Sequence, residues 1–376
     1  MDEVSSILEE LSGARGDREP AVLATVVKVE GSAYRRPGAR MLVTSHGGHV
    51  GTISGGCLEG HVSQQAWWLT ESGDPVVCRY DTSADEDAQW TFGLGCNGVV
   101  HVLLERLGSP QTDSQIELLR AVREAFQPGA TAVVIASQGE VRIGERAVLL
   151  PGGARRGNVS DGPLADRMFG DLAEVLVAAR SSWRTYESAG TRVDAFLEYV
   201  PPPMRLVIFG AGHDAIALVR MAKELGWHVS VADGRSHFAR KERFPLADSV
   251  VVLDQRDPVD ATGMTADCAA VVMTHSYEQD KRLLGRLLAL RPRYLGQLGP
   301  RRRTELMLSE LARENPDVFD APAPGLNYPV GLDIGGENPE EIALSVLAEI
   351  KAVWVRRAGG MLKGREGPIH EPGAPA

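Results

Sequence analysis

Arg205-Leu-Val-Ile-Phe209-Gly210-Ala-Gly212-His213-Asp-Ala215 is the stretch that decides the fold. Five residues of strand character run into a Gly-x-Gly-x-x-Ala turn, and residues 216–225 follow with their apolar side chains on one helical face. A second apolar strand over 228–232 ends in Asp233, close to the roughly 20-residue spacing at which a dinucleotide fold places its ribose acceptor. Alanine at the third glycine position is compatible with close helix-to-strand packing. Backbone N–H groups from Gly210 to Asp214 suit a pyrophosphate, and Asp233 suits a ribose diol. Arg235 can pair with a 2′-phosphate, so the turn leaves NAD and NADP both open. A Rossmann-type fold with an empty or repurposed crevice reads the same way.

Downstream, apolar strands over 249–253, 269–274 and 294–298 alternate with helical stretches, and a closing helix spans about 339–355. That alternation predicts a doubly wound parallel sheet. His213 lies inside the turn and His275 follows the fourth strand, which puts both at the carboxyl edge of the sheet. Each can act as a proton carrier or anion donor, or simply bond to loop backbone. Pro201-Pro-Pro203 marks the upstream boundary, because consecutive prolines stiffen the chain and cannot continue a ladder. The domain is expected over 201–358, with a Gly- and Pro-rich disordered tail over 359–376.

Upstream, the pattern predicts an α+β region of unspecified sheet order. An amphipathic helix over 1–12 carries Val4, Ile7, Leu8 and Leu11 on one face. Strands follow over 21–29, 40–44 and 49–53, then a helix over 58–70, strands over 75–80 and 98–104, and a long loop over 84–97. This makes an N-terminal domain over 1–110. A middle segment over 111–200, with helices at 114–126 and 163–179 and strands at 131–136 and 192–199, is expected to pack with it.

Within that half, Gly51-Thr-Ile-Ser54-Gly55-Gly56-Cys57-Leu-Glu59 sets a cysteine after a glycine turn and ahead of a helix. The glycines let a ligand approach the main chain, and a helix N-terminus favours a thiolate. The alternative is a small buried thiol. The loop Gly31-Ser-Ala-Tyr34-Arg35-Arg36-Pro-Gly-Ala-Arg40 can clamp a phosphate through Arg35 and Arg40, or be a solvated face. Cys96, in Gly93-Leu-Gly-Cys-Asn-Gly98, repeats the glycine-flanked setting. The two thiols can form a redox pair, bind a soft metal centre or contact a cofactor. Cys78 and Cys268 sit in or beside apolar strands and read as core.

Composition narrows the classes. The 376 residues carry 40 Lys plus Arg against 50 Asp plus Glu, which argues against a broad electrostatic grip on nucleic acid or anionic lipid. There is no leader-like N-terminus and no apolar run near the roughly 18–20 residues of a membrane span, so a reduced, cytoplasmic protein is expected. The four cysteines lack the spacings of zinc or iron-sulfur sites.

Taken together, the segments resemble the xanthine dehydrogenase accessory protein family, also called XdhC/CoxI. Gly31-Ser-x-Tyr-Arg-x-Pro-Gly-Ala-Arg40-Met, Ile53-Ser-Gly-Gly-Cys57-Leu-Glu59 and Gly93-Leu-Gly-Cys96 carry the N-terminal likeness. Phe209-Gly-Ala-Gly-His213, Thr274-His275, Gly299-Pro-Arg-Arg and Pro329-Val-Gly-Leu-Asp333-Ile-Gly-Gly carry the C-terminal one. Asn97 departs from the glycine of many relatives. The resemblance implies a factor that binds molybdenum cofactor (molybdopterin) and delivers it to an apo-molybdenum hydroxylase such as xanthine dehydrogenase, with a cysteine-desulfurase-type sulfurase as a further partner. It makes Cys57 the candidate contact to molybdenum. Arginines, backbone N–H groups and a soft thiolate suit such an anionic, metal-bearing pterin. The competing reading is an NAD(P)-dependent oxidoreductase, and a third is a scaffold with vestigial sites. A homodimer is also expected, with Trp67 and Trp68 as candidate interface residues.

Overall fold

In the computed structural model, residues 3–12, 20–81, 98–188, 190–254, 259–314, 325–364 and 366 are described. The predicted loop over 84–97, with Cys96, and nearly all of the tail beyond 364 lie outside them. Residues 362–364, inside the predicted tail, form a short 3₁₀ turn. The chain divides into two compact units, Glu3–Pro202 and Pro203–Ile369.

The first unit is built from one supersecondary module used twice. The first copy runs α1 (Glu3–Ser12), β1 (Ala21–Gly31), β2 (Arg40–Thr44), β3 (His49–Gly51), α2 (Glu59–Leu69), β4 (Val76–Asp81) and β5 (Gly98–Arg106). The second runs α3 (Pro110–Ala125), β6 (Gly129–Ser137), β7 (Arg146–Leu149), β8 (Arg155–Gly157), α4 (Gly162–Ala178), β9 (Ser182–Ser188) and β10 (Thr191–Val200). Their sheets have the same order, β3-β2-β1-β5-β4 and β8-β7-β6-β10-β9. Correspondence extends to single residues. Val27 is the extra, bulged residue of β1 against β5, and Ile135 is that of β6 against β10. Gly51 and Gly157 stand at the same rung of their hairpins, both at positive φ, where a Cβ would fall 2.5 and 2.4 Å from the carbonyl oxygens of Arg40 and Arg146. Only glycine fits such an approach.

Each sheet buries one face under its own helix. Val62 and Ala66 of α2 pack on Val22, Ala24, Val26 and Leu104, while Leu164, Met168 and Leu172 of α4 pack on Ala130, Ala132, Val134 and Leu197. The remaining faces meet each other through Val27, Leu103, Val133 and Phe196. Two ion pairs cross the same junction: Arg40 to Glu198 and Arg146 to Glu105. These are matched positions exchanging partners, as a two-fold relation between the copies requires. All four residues are between 1% and 6% exposed. Arg146 also donates to Gln115 at 2.9 Å, and Arg40 to the Gly38 carbonyl at 2.7 Å.

The second unit is the predicted doubly wound sheet. It comprises β11 (Arg205–Phe209), α5 (His213–Glu224), β12 (His228–Asp233), β13 (Ser249–Val252), β14 (Ala269–Val272), α6 (Tyr277–Leu290), β15 (Tyr294–Gln297), α7 (Arg301–Glu314), β16 (Leu326–Asn327) and α8 (Pro339–Trp354). All ladders are parallel, in the order β13-β12-β11-β14-β15-β16. Alternation along β11 sends Leu206 and Ile208 to a core shared with α5 and α8, and Val207 and Phe209 to one shared with α6 and α7. The order reverses between β11 and β14, which opens a crevice at their carboxyl ends. Among the described residues no helix is long and apolar enough to cross a membrane.

The sequence pattern puts Arg40 on a ligand-binding loop, whereas the structure buries its guanidinium between the two sheets. Removing one partner of a buried pair strands the other charge. Arg40→Met should therefore cost about 3–5 kcal/mol in urea unfolding, and Arg40→Met with Glu198→Met should recover most of the loss. Equal stability of the single and double variants would show that the pair does not hold the copies together.

Candidate functional site

The turn from Thr52 to Leu58 is organised by one carboxylate. Glu59 opens α2 yet is 3% exposed, because its side chain folds back beneath the turn. Its Oε1 accepts from Ile53 N (2.9 Å), Ser54 N (2.8 Å), Gly55 N (3.2 Å) and the Thr52 hydroxyl. Its Oε2 accepts from Gly56 N (2.9 Å), Leu58 N (3.2 Å) and the Ser54 hydroxyl. Burial opposes ionisation of this group, but the bonds from Ser54 and Thr52 outweigh it and hold its pKa well below the ordinary carboxylate range. The Ser54 hydroxyl in turn accepts from Cys57 N at 3.0 Å and Leu58 N at 2.8 Å. Cys57 is thereby set, exposed, on the rim of a turn whose inward donors are engaged.

The matched junction in the second copy shows what is special here. Ser160, the counterpart of Ser54, is held through its N–H and hydroxyl by Glu145, and α4 starts two residues later. Ser54 precedes β4 by as many residues as Ser160 precedes β9, so Gly55, Gly56 and Cys57 stand where the second copy has the N-cap Asp161 and the first helical residues Gly162 and Pro163, and the turn stays unwound in the first copy alone. Gly55 is at φ 94°, and a Cβ on it would fall 2.7 Å from the Tyr34 ring. That contact lays the Gly31–Arg40 loop against the cysteine turn, with Tyr34 74% exposed. Arg35 is pinned to Glu3 of α1, whose second oxygen accepts from Arg40 N at 2.6 Å. Arg36 is exposed. Sequence reasoning does not bring Tyr34 to the cysteine turn, and the signal for it is the packing on Gly55 that only the folded loop reveals.

Of the other thiols, Cys268 is buried, and Cys78 is half-buried with its pKa pushed up by burial. Cys96 lies outside the described residues. Trp68 is exposed, but Trp67 is half-buried, donating to the Thr44 carbonyl at 3.2 Å beneath the Arg106 guanidinium. Among the described residues no group of three or more His, Cys, Asp or Glu side chains could hold a metal ion.

In the second unit, the predicted residues converge on the crevice. Gly212 caps α5, and His213 is the exposed first residue of that helix. Asp233 is fully buried. It accepts from Ala211 N at 2.8 Å, from Arg235 N at 2.8 Å, and from the Arg235 guanidinium at 3.0 and 2.8 Å. Burial opposes its ionisation, but Arg235 and the backbone bonds win and lower its pKa. Arg235 and Arg243 both lie over the Phe238 ring, and Arg243 donates to the Ala211 carbonyl at 3.0 Å. His275, at φ 63°, bonds through Nε2 to Asp214 at 2.9 Å.

Residues 206–350 match the profile of the XdhC Rossmann domain, and residues 14–81 match that of the XdhC and CoxI family. A Bacillus subtilis protein, named as a probable component of xanthine dehydrogenase, is 34% identical over 89% of this chain and 93% of its own length. The chain belongs to the XdhC and CoxI family. The Escherichia coli molybdenum cofactor insertion chaperone PaoD is 26% identical, across 89% of this XdhC-type chain and 83% of PaoD. A Bacillus halodurans crystal structure described as a xanthine dehydrogenase superposes with a TM-score of 0.76 at 30% identity, covering 95% of this chain and 97% of that one. The cysteine turn of this XdhC protein lies within the first 81 residues and the match there, and its Rossmann crevice within the match over 206–350.

Because the folded pKa of Glu59 is depressed, its stabilisation is full above the unfolded carboxylate value of about 4.3 and is lost as pH falls through the lower folded value. Glu59→Gln should cost about 2–3 kcal/mol at pH 7, because an amide N–H₂ would face backbone donors. Urea unfolding of both proteins should show the gap narrowing from pH 7 to pH 3. A gap that stays constant would mean the charge is irrelevant to the turn.

Proposed function

We propose that this protein binds molybdenum cofactor and passes it to an apo-molybdenum hydroxylase of the xanthine dehydrogenase type. The observation that carries this reading is the exposed Cys57 thiol, held on a turn that Glu59 braces from below. A carrier needs a soft ligand presented at the surface, where cargo can arrive from one protein and leave to another. Cys57 would contact the metal end, while Tyr34 offers an aromatic face and Arg36 a cation on the adjoining loop. The cofactor's own dithiolene would supply the remaining soft donors. Glu59 and Ser54 would act by shaping the turn. Likeness to a molybdenum cofactor insertion chaperone supports the same assignment. A sulfurase partner fits a carrier that holds the cofactor before insertion, and the exposed Trp68 is the place to look for a homodimer contact.

An NAD(P)-dependent oxidoreductase would place a ribose diol on Asp233. That carboxylate is buried and already saturated by Ala211 N–H and Arg235, which weighs against the dinucleotide reading.

The test is a titration of wild-type and Cys57→Ala protein with molybdenum cofactor released from a donor enzyme, under reducing, anaerobic conditions. NAD and NADP run in parallel. One-to-one cofactor binding should weaken at least about tenfold in the variant, or about 1.4 kcal/mol. Absence of cofactor binding, with micromolar binding of NAD or NADP, would replace the carrier with an oxidoreductase.

A further inference from the structure

The crevice between β11 and β14 is spanned by a side-chain bridge that its fold type does not require. Asp214, the second residue of α5, turns its carboxylate back over the glycine turn. Its Oδ1 accepts from Ala215 N at 3.0 Å and sits 2.5 Å from where a Cβ on Gly212 would be. Its Oδ2 takes Nε2 of His275 from the far side of the crevice, at 2.9 Å. His275 reaches this position at φ 63°, a conformation that residues with a Cβ rarely adopt. Its neighbour Thr274 is fixed by two bonds to Asp280, at 3.2 and 2.6 Å, and the fully buried Asp280 is paired with Arg303 at 2.7 Å. The strand end that presents His275 is therefore rigid, and the bridge is held against backbone strain.

This geometry places a negative charge at the first turn of α5, where a dinucleotide fold ordinarily receives an anionic phosphate. The helix dipole and free N–H groups there are partly satisfied by the chain itself.

We propose that Asp214 is the specificity-determining residue of this crevice, a carboxylate held across its mouth by His275 that excludes phosphate-bearing ligands. Asp214 and His275 both belong to the second unit, and their role is independent of the one given to Cys57. The two side chains act with opposite sign. Neutralising Asp214 removes the repulsion while leaving the acceptor for Ala215 N in place. Removing His275 breaks the bridge but leaves the carboxylate in place, now without its donor.

Isothermal titration of inorganic pyrophosphate into the full chain tests this. Asp214→Asn should bind pyrophosphate at least tenfold more tightly than wild type. His275→Gly, which relieves the strained backbone, should bind no more tightly than wild type. A cooperative thermal transition in each variant establishes that the fold is retained. Three outcomes overturn the proposal: equal or weaker binding by Asp214→Asn, equal tightening by His275→Gly, or no pyrophosphate binding by any of the three proteins. The second would make the imidazole a steric plug rather than the carboxylate a charge filter.

Discussion

Two buried ion pairs, Arg40 with Glu198 and Arg146 with Glu105, are the constraint on which the first unit depends. Charges buried to this degree are tolerated only when paired and hydrogen-bonded, so each arginine dictates where the opposite sheet must lie. The reciprocity fixes both register and orientation: sliding one sheet along the other would strand four charged groups at once. Apolar contacts between Val27, Leu103, Val133 and Phe196 supply area at the junction, but they would tolerate small shifts that the ion pairs do not.

On that duplicated frame, the cysteine turn is a local departure from symmetry. Both copies tether a serine to a glutamate just before the helix that covers the sheet, through Glu59 in one and Glu145 in the other. Only the first copy leaves the start of that helix unwound, with Gly-Gly-Cys at the positions where the second has Asp161, Gly162 and Pro163. The second copy shows that the module can be helical at these positions, so the unwound turn belongs to the first copy's own sequence. Glu59 resolves the local conflict that the unwound turn creates. A turn of consecutive N–H groups beside a helix start would otherwise leave several donors unmet, and one carboxylate takes five of them, from Ile53, Ser54, Gly55, Gly56 and Leu58.

The second unit makes a related trade. Its turn, strand order and acidic residue match those of a dinucleotide fold, yet its polar groups are turned inward on one another. Asp233 is taken by Arg235 and Ala211, and Asp214 by His275. A shared fold supplies the crevice, and the side chains at its mouth decide what may enter.

The sequence by itself determined the parallel sheet, because buried strands read as short apolar runs and the glycine turn marks the strand-to-helix junction directly. It also marked the cysteine turn, since Ser-Gly-Gly-Cys before a helix is local chemistry. It did not show the duplication: the run from Val27 to Arg40 and the connection between β4 and β5 differ in length from their counterparts, and strands β7, β8 and β9 share little residue-by-residue likeness with β2, β3 and β4. It could not separate Arg35 from Arg40, because two arginines on one loop look alike until the fold buries one against Glu198 and ties the other to Glu3. Nor could it see that Asp233 and His275 are already bonded within the chain. Those outcomes hang on partners distant along the chain, and only tertiary structure decides which polar group meets which.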